Sequence, residues 1–247
     1  KPGAPAGVTP GKRPKTMTPE MMKDVARKPT SDLVLSVIQT ACLQAQQVRV
    51  ESTSSVSVKY DGKAGKGAED QKVVVLFQRP NKFRVSGAGT TMCSDGSTVY
   101  LYDSRSKTYA KRPMEEKVLR GMALNQGGVE VLGLLAGFDY SSIVSSSKML
   151  ADQKIGGRDS WVLLLDIKAV PGMPKGTTAK QKLWVDKKDF TIHRSEITTR
   201  TTPKAPKGAG DVPKLIETVT VSNVSRFDYN AKLSAADFKF TPPAEAK

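Results

Sequence analysis

The sequence predicts a single large, curved antiparallel sheet with helices on one face, and three observations predict it. Two β-hairpins stand in tandem between Lys72 and Arg112, with their turns legible as Arg79-Pro80-Asn81-Lys82 and Asp95-Gly96. Asp-Gly between alternating apolar runs is a strong hairpin signal, because Gly supplies the positive φ of a tight turn. Alternation of period two governs the chain from Val48 and returns after Phe138, as half-buried strands require. Helical spacing is confined to two places, and nothing after Phe138 supplies a second helix-bearing core. One domain follows.

Taken in order, residues 1–30 hold six prolines with several Gly and Lys, a composition too polar to order itself, and read as a tether. Ser31-Asp32 offers an N-cap, and Val34, Val37, Ile38, Ala41, Cys42 and Ala45 recur at helical spacing. From Val48, the residues Val50, Val56, Val58 and Tyr60 share one parity while Arg49, Glu51, Thr53 and Lys59 take the other, which describes a long strand with one wet face. The two hairpins and a short strand at Lys107 to Lys111 follow. Glu115 to Phe138 places Val118, Leu119, Met122, Val131, Leu132, Leu135 and Phe138 at helical spacing broken by glycines, so one or two short helices are expected. Trp161 to Ile167, Gln181 to Asp186, Phe190 to Arg200 and Leu215 to Tyr229 are the later strands, and the Lys/Pro loops at Val170 to Thr178 and Thr202 to Pro213 are expected to be exposed.

Counting outward from the turns sorts the hairpins by face. A two-residue turn at Asp95-Gly96 sets Met92 opposite Val99 and Cys93 opposite Thr98, so Met92, Val99 and Leu101 share a face. The same count from Pro80-Asn81 sets Leu76 opposite Val85 and adds Val74, Leu76, Phe83 and Val85 to this apolar floor. Phe77, Arg84, Cys93, Tyr100 and Tyr102 fall on the other side. If the first helix packs on the floor, the sheet separates Cys42 from Cys93 and the two thiols stay unpaired.

The chain carries a net charge of +15, which favours encounters with anionic partners. Its lysines are scattered through loops without interleaved aromatics, so the charge reads as solubility and loose surface attraction rather than as a base-stacking surface. No apolar run approaches a membrane-spanning length. The chain begins at Lys1, which suits either a trimmed sequence or one whose targeting segment has been removed. The single histidine, His193, lies in a strand flanked by Ile192 and Arg194, and with two distant cysteines it assembles no metal set. Phosphate loop, dinucleotide fingerprint and nucleophile elbow are all absent from the sequence. We expect no enzyme, no cofactor and no metal.

Three motifs carry a family resemblance: Arg79-Pro80-Asn81 with Phe83-Arg84, Ser94-Asp95-Gly96 with Val99-Tyr100-Leu101-Tyr102, and Phe238-Lys239-Phe240-Thr241-Pro242-Pro243. In order and spacing they resemble the LolA-like and LolB-like bacterial lipoprotein carriers, over Ser31 to Pro243. The resemblance implies a mainly β, α+β fold: an incomplete barrel of about ten or eleven antiparallel strands in one domain over 31–243, with a helical lid at about 115–138 and a tail at 244–247. It implies a non-enzymatic protein of the periplasm or outer envelope, tethered through its N-terminal tail. Such a protein holds the acyl chains of a lipid or lipoprotein between sheet and lid. Carried over by position, the lipid-binding cavity is Val74, Leu76, Phe83, Val85, Met92, Val99, Leu101, Leu119, Met122, Leu132, Leu135, Trp161, Leu163 and Leu165, and Arg79 is the lid latch. Further expected partners are an anionic membrane surface and an envelope protein, with no nucleic acid. The alternative is an envelope scaffold or stress-sensing module of the same fold that binds a protein. Whether the floor encloses a space or is filled by its own side chains is a question for the structure.

Overall fold

Alternation along most of the chain becomes one sheet in the computed structural model, which describes residues 23–25, 27–87, 89–115, 130–135, 137, 140–168, 174–203, 212–244 and 246–247. The tail before residue 23, most of the expected lid, the first part of the 170–178 loop and the centre of the 202–213 loop lie outside the described residues. Seven strands precede the helical insertion: β1 (Gln47–Tyr60), β2 (Lys63–Ala64), β3 (Ala68–Gln78), β4 (Lys82–Gly87), β5 (Thr90–Ser94), β6 (Thr98–Asp103) and β7 (Thr108–Pro113). Five follow it: β8 (Val144–Ile155), β9 (Arg158–Ile167), β10 (Thr177–Asp186), β11 (Ile192–Thr201) and β12 (Ile216–Asp228). The order is β7-β6-β5-β4-β3-β1-β12-β11-β10-β9-β8, with β2 paired to β1 alone. The result is a curved, open, twelve-stranded sheet, an incomplete barrel with free edges at β7 and β8. Its two halves join where β1 pairs antiparallel with β12.

Helix α1 (Ser31–Gln44) starts one residue earlier than the sequence suggests, with Thr30 as cap accepting from Leu33 N at 3.3 Å. Val34, Val37, Ile38 and Cys42 form the stripe it buries on the sheet, as an i, i+3, i+4 pattern requires. Val25, inside the stretch read as a tether, is also buried in the core. The short helices α2 (Glu130–Leu135) and α3 (Tyr140–Ile143) lie between β7 and β8.

Register corrects both hairpin counts, and one of the two corrections exchanges the faces. Across the Asp95 turn, Ser94 pairs with Val99 and Met92 with Leu101. That is a slip of two residues, which leaves every side chain on its expected face. Across the Arg79-Pro80-Asn81 turn, Gln78 pairs with Lys82, Phe77 with Phe83 and Val75 with Val85. Here the connection holds three residues rather than two, and a slip of one exchanges the faces. Val74 and Leu76 therefore leave the floor, and Val73, Val75 and Phe77 take their places opposite Ser52, Val50 and Val48 of β1.

Charge is sorted by the same parity. The ion pairs Arg49–Glu51, Arg226–Glu51, Lys59–Glu217, Arg200–Glu217, Lys182–Glu196 and Lys180–Asp166 all fall on positions facing away from α1. The C-terminal segment crosses this outer face. Cys93 Sγ donates to Phe238 O at 3.0 Å, Arg84 Nη1 reaches the carbonyls of Asp237 and Lys239 at 3.5 Å, and Phe240 stacks on Tyr100 with ring centroids 5.3 Å apart. Leu76 is buried on this face, outside the main core.

The sheet does separate the cysteines: Cys42 and Cys93 are both buried and unpaired, one on α1 and the other on the outer face. Burial pushes the Cys42 thiol up to about 12, opposed by the neighbouring Tyr229 hydroxyl and Arg79, and pushes Cys93 up to about 11. Neither forms thiolate near neutrality, and the thiolate is the reactive form. We expect no reaction with a thiol reagent at pH 8 in the folded protein and two equivalents after denaturation, read by absorbance titration.

Candidate functional site

The floor under α1 is built by alternate residues of seven strands. Val48 and Val50 of β1, Val73, Val75 and Phe77 of β3, Phe83 and Val85 of β4, Met92 of β5 and Val99 of β6 form one side. Trp161, Leu163 and Leu165 of β9 with Leu183 and Val185 of β10 form the other. These residues join the α1 stripe and Leu134 and Leu135 of α2 in one cluster, with none more than 7% exposed. Helices therefore lie directly on the floor.

Of the residues expected to line a cavity, Phe83, Val85, Met92, Val99, Leu135, Trp161, Leu163 and Leu165 come together in this cluster, and Leu101 packs against it half-buried. Val74 and Leu76 do not, for the reason of register given above. Leu119, Met122 and the side chain of Leu132 lie outside the described residues. Sequence reasoning missed Phe77, Val75 and Val73, and also Leu183 and Val185, which sit opposite Leu163 and Trp161.

Arg79 stands where the cover meets the sheet. Its Nε donates to Ala45 O at 3.1 Å, and its Nη2 donates to Cys42 O and to Leu135 O, both at 3.0 Å. These are carbonyls at the C-terminal ends of α1 and α2, groups a helix leaves without an internal partner and where a cation is favoured. The guanidinium also lies 5.5 Å from the Phe77 ring centroid. Burial lowers the Arg79 pKa, with Cys42 opposing, yet guanidinium keeps its charge in proteins. One planar fork thus ties two helices to the β3–β4 turn. At its other end α1 is held to β8: Ser147 Oγ donates to Asp32 Oδ1 at 2.6 Å and lies 2.8 Å from Ser31 Oγ.

Among the described residues, Asp186, Asp189 and His193 are the one group of three whose ligand atoms all lie within 4.8 Å of one another. Their partners account for them without an ion. Asp186 Oδ2 meets His193 Nε2 at 2.8 Å, Asp186 Oδ1 accepts from Lys188 N and Asp189 N, Asp189 Oδ1 accepts from Thr191 N, and Arg158 Nη1 lies 3.7 Å from both carboxylates. This network shapes the β10–β11 turn. Burial acts to raise the Asp186 pKa, but the bonds from Lys188, His193 and Asp189 outweigh it and hold the group below the ordinary carboxylate range. A carboxyl depressed on folding stabilises the fold above its unfolded pKa of about 3.9, and the contribution is lost as pH falls through the folded value. Asp186→Asn is expected to lower the denaturation midpoint at pH 7, with the gap to wild type closing below about pH 3.9, as read by urea titration at both pH values.

No family model matches the chain. It is 25% identical over 179 residues to an uncharacterised protein of Methanocaldococcus jannaschii, an alignment covering 72% of this chain and 43% of that protein, so the chain spans less than half the length of this curated relative. Among solved structures it is similar to the Mycobacterium tuberculosis lipoprotein LppX, with a TM-score of 0.42 and 11% identity over 89% of this chain and 100% of that one. It is similar also to LprF from Mycobacterium bovis, with a TM-score of 0.41 and 15% identity over 94% and 100% of the two chains. Likenesses at this level assign neither ligand nor partner.

Proposed function

We propose that this chain is a non-enzymatic cell-envelope protein that holds acyl chains of a lipid or lipoprotein between its curved sheet and its helical cover. The observation that supports the reading most is the Arg79 fork. A single side chain fastens α1 and α2 over an inner floor to which both halves of the sheet contribute buried apolar residues. Acyl chains enter such a floor without directional chemistry, gaining roughly 0.8 kcal/mol per buried methylene. A cover held at few polar points can open locally at much less than the cost of global unfolding. The motif resemblance over Ser31 to Pro243 supports the same reading. The basic surface adds loose attraction to anionic headgroups, which salt screens.

Purified protein is expected to yield acyl species on organic extraction, detected by mass spectrometry, and to bind a fluorescent fatty acid. Extracts free of acyl species, together with no fluorescence change on adding the probe to delipidated protein, sink the reading.

A further inference from the structure

The inner face is not apolar throughout. Where β1, β12, β11 and β10 lie side by side it carries Ser52, Ser54, Ser222, Ser195 and Gln181, all buried. Register sets Ser54 opposite Ser222 and Ser222 opposite Ser195, with Gln181 two positions from Leu183, the β10 partner of Ser195. Ser54 Oγ and Ser222 Oγ are 2.7 Å apart, and Gln181 Nε2 donates to Ser195 Oγ at 3.2 Å. The result is a polar seam with an apolar field on each side: Val73, Val75, Val85 and Met92 toward β5, and Leu163, Leu165 and Leu183 toward β9.

Such a seam costs stability relative to an apolar sheet unless its groups are matched. A serine pair holds two hydroxyl protons, and one bond between the oxygens uses one of them. The Ser54–Ser222 pair therefore keeps a donor for a third group. Among the described residues of these four strands no charge faces the seam: Lys59, Lys182, Arg194, Glu196, Arg200 and Glu217 all occupy outer positions. A carboxylate or phosphate placed there would be buried without a cation, which is costly, whereas a carbonyl needs only the hydroxyl donor.

We infer that the Ser54–Ser222–Ser195–Gln181 seam receives the ester carbonyl of an uncharged acyl ester, whose hydrocarbon lies on the apolar fields to either side. The inference rests on the acyl-binding reading above and narrows its ligand to a neutral lipid. Free fatty acids and phospholipids bind the same floor with their charged groups kept outside, and more weakly.

The test is displacement of a fluorescent fatty acid from the full chain by dioleoylglycerol, oleate, dioleoylphosphatidic acid and hexadecane. Dioleoylglycerol is expected to displace the reporter at about tenfold lower concentration than oleate or the phosphatidic acid, the size of one good hydrogen bond. The double variant Ser54→Ala/Ser222→Ala removes both partners together, which leaves no orphaned group, and is expected to abolish that preference while hexadecane displaces as before. Gln181→Leu/Ser195→Ala attacks the seam from its other end and keeps the question open to refutation if the first variant does not fold. Equal displacement by the three oleoyl lipids, or a preference that survives in the folded variants, overturns the seam and leaves the acyl-binding reading standing. A protein that binds neither the reporter nor any competitor overturns both.

Discussion

Replacing Arg79 by alanine is expected to destabilise the protein by about 3 kcal/mol, because hydrogen bonds to a charged group are among the stronger ones and three carbonyls lose their donor together. The carbonyls are those of Cys42, Ala45 and Leu135, and the loss is read from chemical denaturation. A second readout separates a latch from a merely structural arginine: amide exchange in α2 should accelerate more than exchange in β9 and β10, since Leu135 O is the α2 carbonyl that Arg79 ties to the turn. Arg79→Lys is expected to recover less than half of the loss, because an ammonium lacks the planar fork that reaches two helix ends at once. Full recovery by lysine would mean that charge alone does the holding.

Phe77→Ala is expected to cost about 4 kcal/mol, in the range for truncating a fully buried aromatic. Phe77 is completely buried on the floor opposite Phe83 and Val48. Val74→Ala, three residues earlier on the same strand, on the outer face and only half-buried, should cost less than about 1 kcal/mol. The ratio of the two, measured by denaturant unfolding, reports the register directly. Comparable losses would place both side chains in the core and contradict the pairing of Phe77 with Phe83.

That register was nearly legible. The run Val73 to Phe77 is apolar at every position and carries no parity of its own, so the face had to be taken from the turn, and a three-residue turn counted as two exchanges the faces. The flanking residues held the missing signal: Lys72 and Gln78 on β3, and Lys82, Arg84 and Ser86 on β4, are all polar and all of even number, which sends the odd residues Val73, Val75, Phe77, Phe83 and Val85 inward. The Asp95-Gly96 hairpin survived its miscount because the slip there was by two. The Arg79 fork was placed through motif resemblance, since a lone Arg-Pro-Asn says nothing about which carbonyls it will meet. The separation of Cys42 from Cys93 followed from face counting alone. The seam was not visible in the sequence: Ser54, Ser195 and Ser222 lie far apart in the chain and meet only through the β1–β12 and β11–β12 pairings. Nor was the outer-face strap, in which Phe238 and Phe240 cover Cys93 and Tyr100, because its docking depends on long-range contacts that no local pattern records.

The two tryptophans offer a direct test of where acyl chains lie. Trp161 sits on the floor with Leu163 and Leu165, whereas Trp184 is on the outer face, donating to Gln153 Oε1 at 2.8 Å beneath Lys182 and Arg194. Brominated acyl chains quench tryptophan only at contact range. Dibromostearate is therefore expected to quench the Trp184→Phe protein, whose fluorescence comes from Trp161, and to leave the Trp161→Phe protein nearly unchanged. Quenching confined to the protein that retains Trp184, or absent from both while the lipid is bound, would contradict a ligand held between sheet and helices.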